Sequence, residues 1–124
     1  MIKIEILNSL SDNYIYVLHN PINKVTAVID PGEAKPVIDL LTKNNWNLNQ
    51  IFNTHHHDDH IAGNKQLIEK YNCKLIGPKY DQDRVKNCDF YVSDGDEIDM
   101  IGEKANIIFT PGHTIGHICY YIKK

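Results

Sequence analysis

Apolar and polar residues alternate through Ile2-Lys3-Ile4-Glu5-Ile6, the period of a strand that buries one face and exposes the other. Tyr14 to His19 and Val25 to Ile29 are instead continuously apolar, as strands buried on both faces are, and Asn20-Pro21 between them marks a turn. Asp30-Pro31-Gly32 ends the second of these runs. Pro36 then suits the first turn of a helix that places Val37, Leu40 and Leu41 on one side and that Asn44-Asn45 stops. Ile51-Phe52 is a short strand leading into Thr54-His55-His56-His57-Asp58-Asp59-His60. From Ile61 to Asn72 the apolar residues Leu67, Ile68 and Tyr71 recur at helical spacing, with Gly63 near the start. Lys74 to Gly77 reads as a strand and Pro78 to Asn87 as a polar surface connection. Phe90 to Val92 and Glu97 to Ile101 read as a hairpin around Asp94-Gly95, because Asp-Gly readily takes the positive φ of a tight turn. Ala105 to Thr110 and His117 to Ile122 complete the strands. Strands interleaved with two helical stretches predict a mixed α/β fold, and no repeat, low-complexity tract or linker divides residues 1–124, so one domain is expected.

Composition narrows the class. With 42% hydrophobic and 23% charged residues, the chain has the balance of a globular protein and not of a disordered one. Its apolar runs are far shorter than the roughly 20 residues of a membrane-spanning helix, and no membrane association is expected. Met1 leads straight into a strand pattern with no secretory leader, which predicts a cytoplasmic chain. A net charge of -3 without any block of Lys or Arg offers no footprint for a phosphate backbone, so nucleic acid is not an expected partner. Cys73, Cys88 and Cys119 are odd in number and widely spaced, which predicts small buried thiols and neither a disulfide framework nor a Cys-x-x-Cys knuckle.

The histidines change the picture, because four of the seven fall within six residues. His55 and His57 leave the same face of an extended backbone and can converge on one metal ion, while Asp59 and His60 follow at the turn into a helix, where both can reach inward toward a second. Neutral imidazole suits zinc and a carboxylate adds charge compensation. Thr110-Pro111-Gly112-His113-Thr114 repeats the arrangement of an apolar strand ending in a turn that presents a histidine. His113 then supplies a third nitrogen, as in a three-histidine zinc site with an open fourth position. His117 opens a strand, where a packed or hydrogen-bonded imidazole accounts for it, and His19 stands without a partner motif as a structural residue.

Thr54 to His60 resembles the T-H-x-H-x-D-H signature of the metallo-β-lactamase superfamily, and Pro111-Gly112-His113-Thr114-Ile115-Gly116-His117 resembles its P-G-H-T-x-G-H motif. Ser11 to Tyr16, Val28 to Ala34, His60 to Asn64 and Gly116 to Tyr121 bring the likeness nearer to glyoxalase II, the hydroxyacylglutathione hydrolases, over the amino-terminal half or so of that family's length. The resemblance implies an αββα sandwich, of which this chain is half: a mixed sheet with flanking helices. It implies that His55, His57 and His113 hold a first metal, that Asp59 and His60 contribute to a second and that Asp59 is also catalytic, with zinc as the metal and iron or manganese as alternatives. His56 and Asp58 fall at variable positions and are not expected as ligands, and Asp30 matches a family aspartate near the site, either orienting a ligand histidine by hydrogen bonding or serving as a strand-terminal turn residue. The implied reaction is hydrolysis of an S-hydroxyacylglutathione thioester to a hydroxy acid and glutathione.

The family's bridging aspartate, its last histidine ligand and its glutathione-gripping residues are expected beyond Lys124. One metal site is then nearly complete and the other is not, and little hydrolase activity is expected of these residues alone. A single half also leaves one sheet face uncovered, which predicts a homodimer pairing two inner faces or association with a separate second half. Two other readings stay open, a persulfide dioxygenase-like iron protein and a non-catalytic metal-binding remnant or subunit. A β-lactamase proper fits less well with Asp59 and the flanking motifs.

Overall fold

A computed structural model of the chain describes residues 2–9, 13–54, 63–79, 88–109 and 118–122. The first three strands, β1 (Lys3–Ser9), β2 (Asn13–Asn20) and β3 (Val25–Ile29), form an antiparallel meander. Helix α1 (Lys35–Asn44) carries the chain to β4 (Leu48–Phe52), and helix α2 (Asn64–Tyr71) precedes β5 (Lys74–Pro78). From β3 the pairing is parallel, through β4 and β5 to β6 (Phe90–Val92), giving one six-stranded sheet in strict chain order. Parallel strands added always in the same direction by crossovers of one hand put every crossover helix on the same sheet face. Accordingly Val37 and Leu41 of α1 and Leu67 of α2 share one core with Ile15, Val17, Val28, Ile51 and Leu75 of the strands.

The helices end as their asparagines suggest. Asn45 and Asn72 both take left-handed backbone, φ 57° and 54°, and close α1 and α2. Pro36 lies in the first turn of α1, and α2 begins at Asn64 after Gly63.

The opposite face of the large sheet meets a second sheet of three antiparallel strands, β7 (Glu97–Met100), β8 (Glu103–Phe109) and β9 (Ile118–Ile122). Leu18, Ala27, Phe52, Ile76 and Val92 on one side pack with Met100, Ile101, Ala105 and Ile107 on the other. The order of layers is therefore helices, large sheet, small sheet.

Three expectations change. Phe90 to Val92 and Glu97 to Ile101 do not pair with each other: the turn at Asp94-Gly95 passes the chain from the large sheet to the small one. The hairpin partner of β7 is β8, joined through Ile101 (φ 49°) and Gly102 (φ 89°). This turn is hidden in the sequence by a β-branched residue in a left-handed conformation, which its contacts sustain. The Ile101 side chain is buried, its N–H donates to Gln50 Oε1 at 2.8 Å, and its carbonyl accepts from Asn20 and Asn23 Nδ2 at 2.9 and 3.1 Å.

Second, β2 is buried on both faces only from Val17 onward, since Tyr14 and Tyr16 are exposed. Third, the chain's own small sheet covers the inner face over β3 to β6, so among the described residues the uncovered part of that face is a corner and not the whole of it. Ile4 and Ile6 of β1 lie beside Tyr14 and Tyr16 of β2 there, 40 to 61% exposed.

Among the described residues no helix is long and apolar enough to cross a membrane. Cys73 is buried and Cys88 partly so, and burial pushes both thiols up to about 11; the side chain of Cys119 lies outside the described residues.

Candidate metal centre

The carboxyl ends of parallel strands are where an open α/β sheet presents its binding groups, because the loops leaving neighbouring strands face each other there. Asp30 follows β3 and Asn53-Thr54 follows β4 at this edge. The Asp30 N–H extends the ladder to Phe52 O at 2.9 Å, and its left-handed backbone (φ 52°) turns the chain at once, with the Gly32 N–H closing on Asp30 O at 2.9 Å. Aspartate tolerates this conformation better than most side chains. The buried Asp30 carboxylate thereby faces the next strand end and accepts the Thr54 N–H at 2.8 Å and the Thr54 hydroxyl at 2.5 Å.

The same loop holds the chain again nine residues later. The Gly63 N–H donates to Pro31 O at 2.7 Å, and only glycine allows this approach: a Cβ would stand 2.5 Å from Pro31 O and 2.9 Å from the backbone of Glu33 and Ala34. Both flanks of the run 55–62 are thus anchored to Asp30-Pro31.

Among the described residues Asn53, fully buried between these anchors, is held from three directions. Its N–H donates to Ile76 O of β5 at 2.9 Å. Its side-chain amide pairs reciprocally with that of Asn64, the first residue of α2, at 2.6 and 3.4 Å. Its carbonyl accepts the hydroxyl of Tyr120, from β9 of the small sheet, at 2.6 Å, and the Tyr120 ring meets Phe52 edge-on at 5.2 Å. Burial, with Asp30 and Cys88 adding to it, pushes the Tyr120 phenol well above its ordinary range, so it remains a donor.

The residues assigned to metal, His55, His57, Asp59, His60 and His113, lie outside the described residues, as do His56, Asp58 and His117. Among the described residues no three His, Cys, Asp or Glu side chains are grouped to hold a metal. What the structure gives is their attachment: Thr54 and Gly63 bound the first run, and the paired ends of β8 and β9 bound the second. The donor set, imidazoles with carboxylate on a run held at both flanks beside a buried aspartate, fits a zinc-type ion. His19 is structural, its Nδ1 2.7 Å from Thr26 Oγ1 and its ring stacked on Trp46. Asn53, Asn64 and Tyr120 carry no site motif in the sequence; the one signal for Asn53 is a polar residue next to the buried end of an apolar strand.

The family model for the metallo-beta-lactamase superfamily matches residues 10–124. The protein named hydroxyacylglutathione hydrolase from Pelagibacter ubique is 47% identical over 119 residues, which are 96% of this chain and 50% of that protein. Its namesake from Rhizobium meliloti is 38% identical over 121 residues, 98% of this chain and 47% of the relative. The chain spans about half the length of the curated relatives it matches. In fold it superposes on the crystal structure of BLEG-1 B3 metallo-beta-lactamase with a TM-score of 0.85 at 21% identity, covering 98% of this chain and 67% of that one. For the crystal structure of ETHE1 from Myxococcus xanthus the TM-score is 0.84 at 24% identity, over 97% of this chain and 53% of the other. With the layered fold, the twice-anchored histidine run and a family match from the end of β1 onward, the chain belongs to the metallo-beta-lactamase superfamily, whose members bind metal.

Proposed function

We propose that residues 1–124 are a metal-binding domain of a thioester hydrolase of the hydroxyacylglutathione hydrolase type, acting in the cytoplasm on S-hydroxyacylglutathione. The observation that carries this reading is the 47% identity to a protein of that name across a chain whose Thr54, the first residue of the histidine motif, is clamped by Asp30. His55, His57 and His113 are assigned to one metal, and Asp59 and His60 to a second, with Asp59 also catalytic; zinc is the assigned ion, with iron or manganese as alternatives. When bound, the metal supplies Lewis acidity and a nucleophilic water near neutral pH. The chain's part is to hold its ligands in register, which Asp30 does for the first run by fixing Thr54 in two hydrogen bonds.

Two metal-ligand residues make a poor site by themselves, so the second metal and efficient turnover are assigned to a complementary half or a second copy of the chain. Elemental analysis of the purified chain with a glutathione-thioester assay tests the reading. The expected outcome is about one tightly held metal per chain, lost on His57→Ala, with little hydrolysis. Two tight metals with turnover like that of the relatives, or no metal at all, overturns it.

A further inference from the structure

We infer that Asn53, with Asn64 and Tyr120, is a positioning device that sets the two ligand runs against each other; this rests on the metal-site reading above. A metal held by His55, His57 and His113 draws on two stretches far apart in the chain, one leaving β4 and one lying between β8 and β9, in different sheets. Sheets that touch through apolar side chains have no fixed register across the interface, because dispersion and burial are not directional. Hydrogen bonds are directional, and several join the two sheets: Gln50 and Asn20 of the large sheet bond to Asp99 and Ile101 at the β7–β8 turn, and Tyr120 Oη donates to Asn53 O at 2.6 Å beside the ligand runs. The acceptor of this last bond lies two residues before His55, and its donor lies on the strand that follows the His113 run.

The other contacts of Asn53 give that bond a rigid acceptor. Its own N–H is committed to β5, its amide to Asn64, and the N–H of the peptide that carries the accepting carbonyl, that of Thr54, to Asp30 Oδ1, so this peptide cannot rotate without breaking bonds in a buried place. The Asn53–Asn64 pair joins the residue before Thr54 to the one after Gly63, and demands an amide at both positions, since each supplies one donor and one acceptor. None of these three side chains is assigned as a ligand; they act on the ligands through the backbone.

The test is metal affinity and geometry, not turnover. Zinc affinity of the full chain is measured by competition with a chromophoric chelator, and coordination geometry by the visible absorption of the cobalt-loaded chain. The variants are Tyr120→Phe, which deletes one oxygen, and Asn64→Asp, which sets oxygen against oxygen in the amide pair. Tyr121→Phe is the control, since Tyr121 is half-exposed on the outer side of the same strand. Tyr120→Phe and Asn64→Asp are each expected to weaken zinc on the order of tenfold and to shift the cobalt bands, as loss of an outer hydrogen bond at a metal site does. Tyr121→Phe is expected to match the parent chain, and the melting point of each metal-free variant separates a change in the site from general unfolding. Parent affinity and bands in both variants overturn this inference alone, whereas a parent chain that binds no metal overturns the site assignment and this inference with it.

Discussion

His19 and Trp46 illustrate how a single stacked pair ties pH to stability. The imidazole stacks on the indole with ring centroids 4.1 Å apart and planes 8° from parallel, and its Nδ1 meets the Thr26 hydroxyl. Burial, and then the nearby Lys3 charge, lower its pKa below the ordinary 6.5. The unfolded chain therefore takes up a proton at this residue before the folded chain does. Stability from His19 is complete above pH 6.5 and is lost as the pH falls below that value toward the depressed folded pKa. Trp46 is the single tryptophan, so its emission reports the environment of this stack directly. In urea titrations followed by that emission, the midpoint is expected to drop more between pH 7.5 and 5.5 in the parent than in His19→Gln, in which every other histidine is retained. Equal drops in the two proteins would show that the stack carries no linkage.

At the scale of elements, what the chain reveals by itself is what depends on neighbours in sequence. The burial of β3, the single apolar sides of α1 and α2 and their asparagine stops follow from local periodicity and backbone preference. The histidine run is legible for the same reason. Partner choice is not local: Asp94-Gly95 is a turn as its residues require, yet the three residues of β6 add to β5 because Val92 finds the inter-sheet core there. The supports of the site are hidden likewise, since Asn53 meets Asn64 eleven residues on and Tyr120 sixty-seven residues on. Gly63 shows the reverse case, a residue that reads as a weak helix start but is required by a backbone approach from the Asp30-Pro31 loop. Gly63→Ala forces that loop to move, and a loss of about 1–3 kcal/mol in urea-derived stability is expected, as for other overpacked positions. An unchanged midpoint would mean that α2 shifts freely on the sheet.

For the whole molecule, the uncovered corner of Ile4, Ile6, Tyr14 and Tyr16 sits at the β1 edge of the large sheet, where an apolar surface coincides with a strand edge that no strand among the described residues pairs. Self-association through this corner is expected, and Ile6→Lys should shift light scattering at micromolar concentration toward the monomer without altering the fold. A parent chain that scatters as a monomer at the same concentration refutes it. The two anchors on Asp30-Pro31 carry a different consequence. Bringing together the ends of an eight-residue stretch such as 55–62 costs a free chain about 2 kcal/mol of loop-closure entropy, equivalent to roughly thirtyfold in a binding constant. Here folding has already closed that stretch with hydrogen bonds at Thr54 and Gly63, before any ion arrives. A peptide of the same sequence bears that cost at each binding event, so the affinity of the motif for a cation belongs to the scaffold as much as to its histidines.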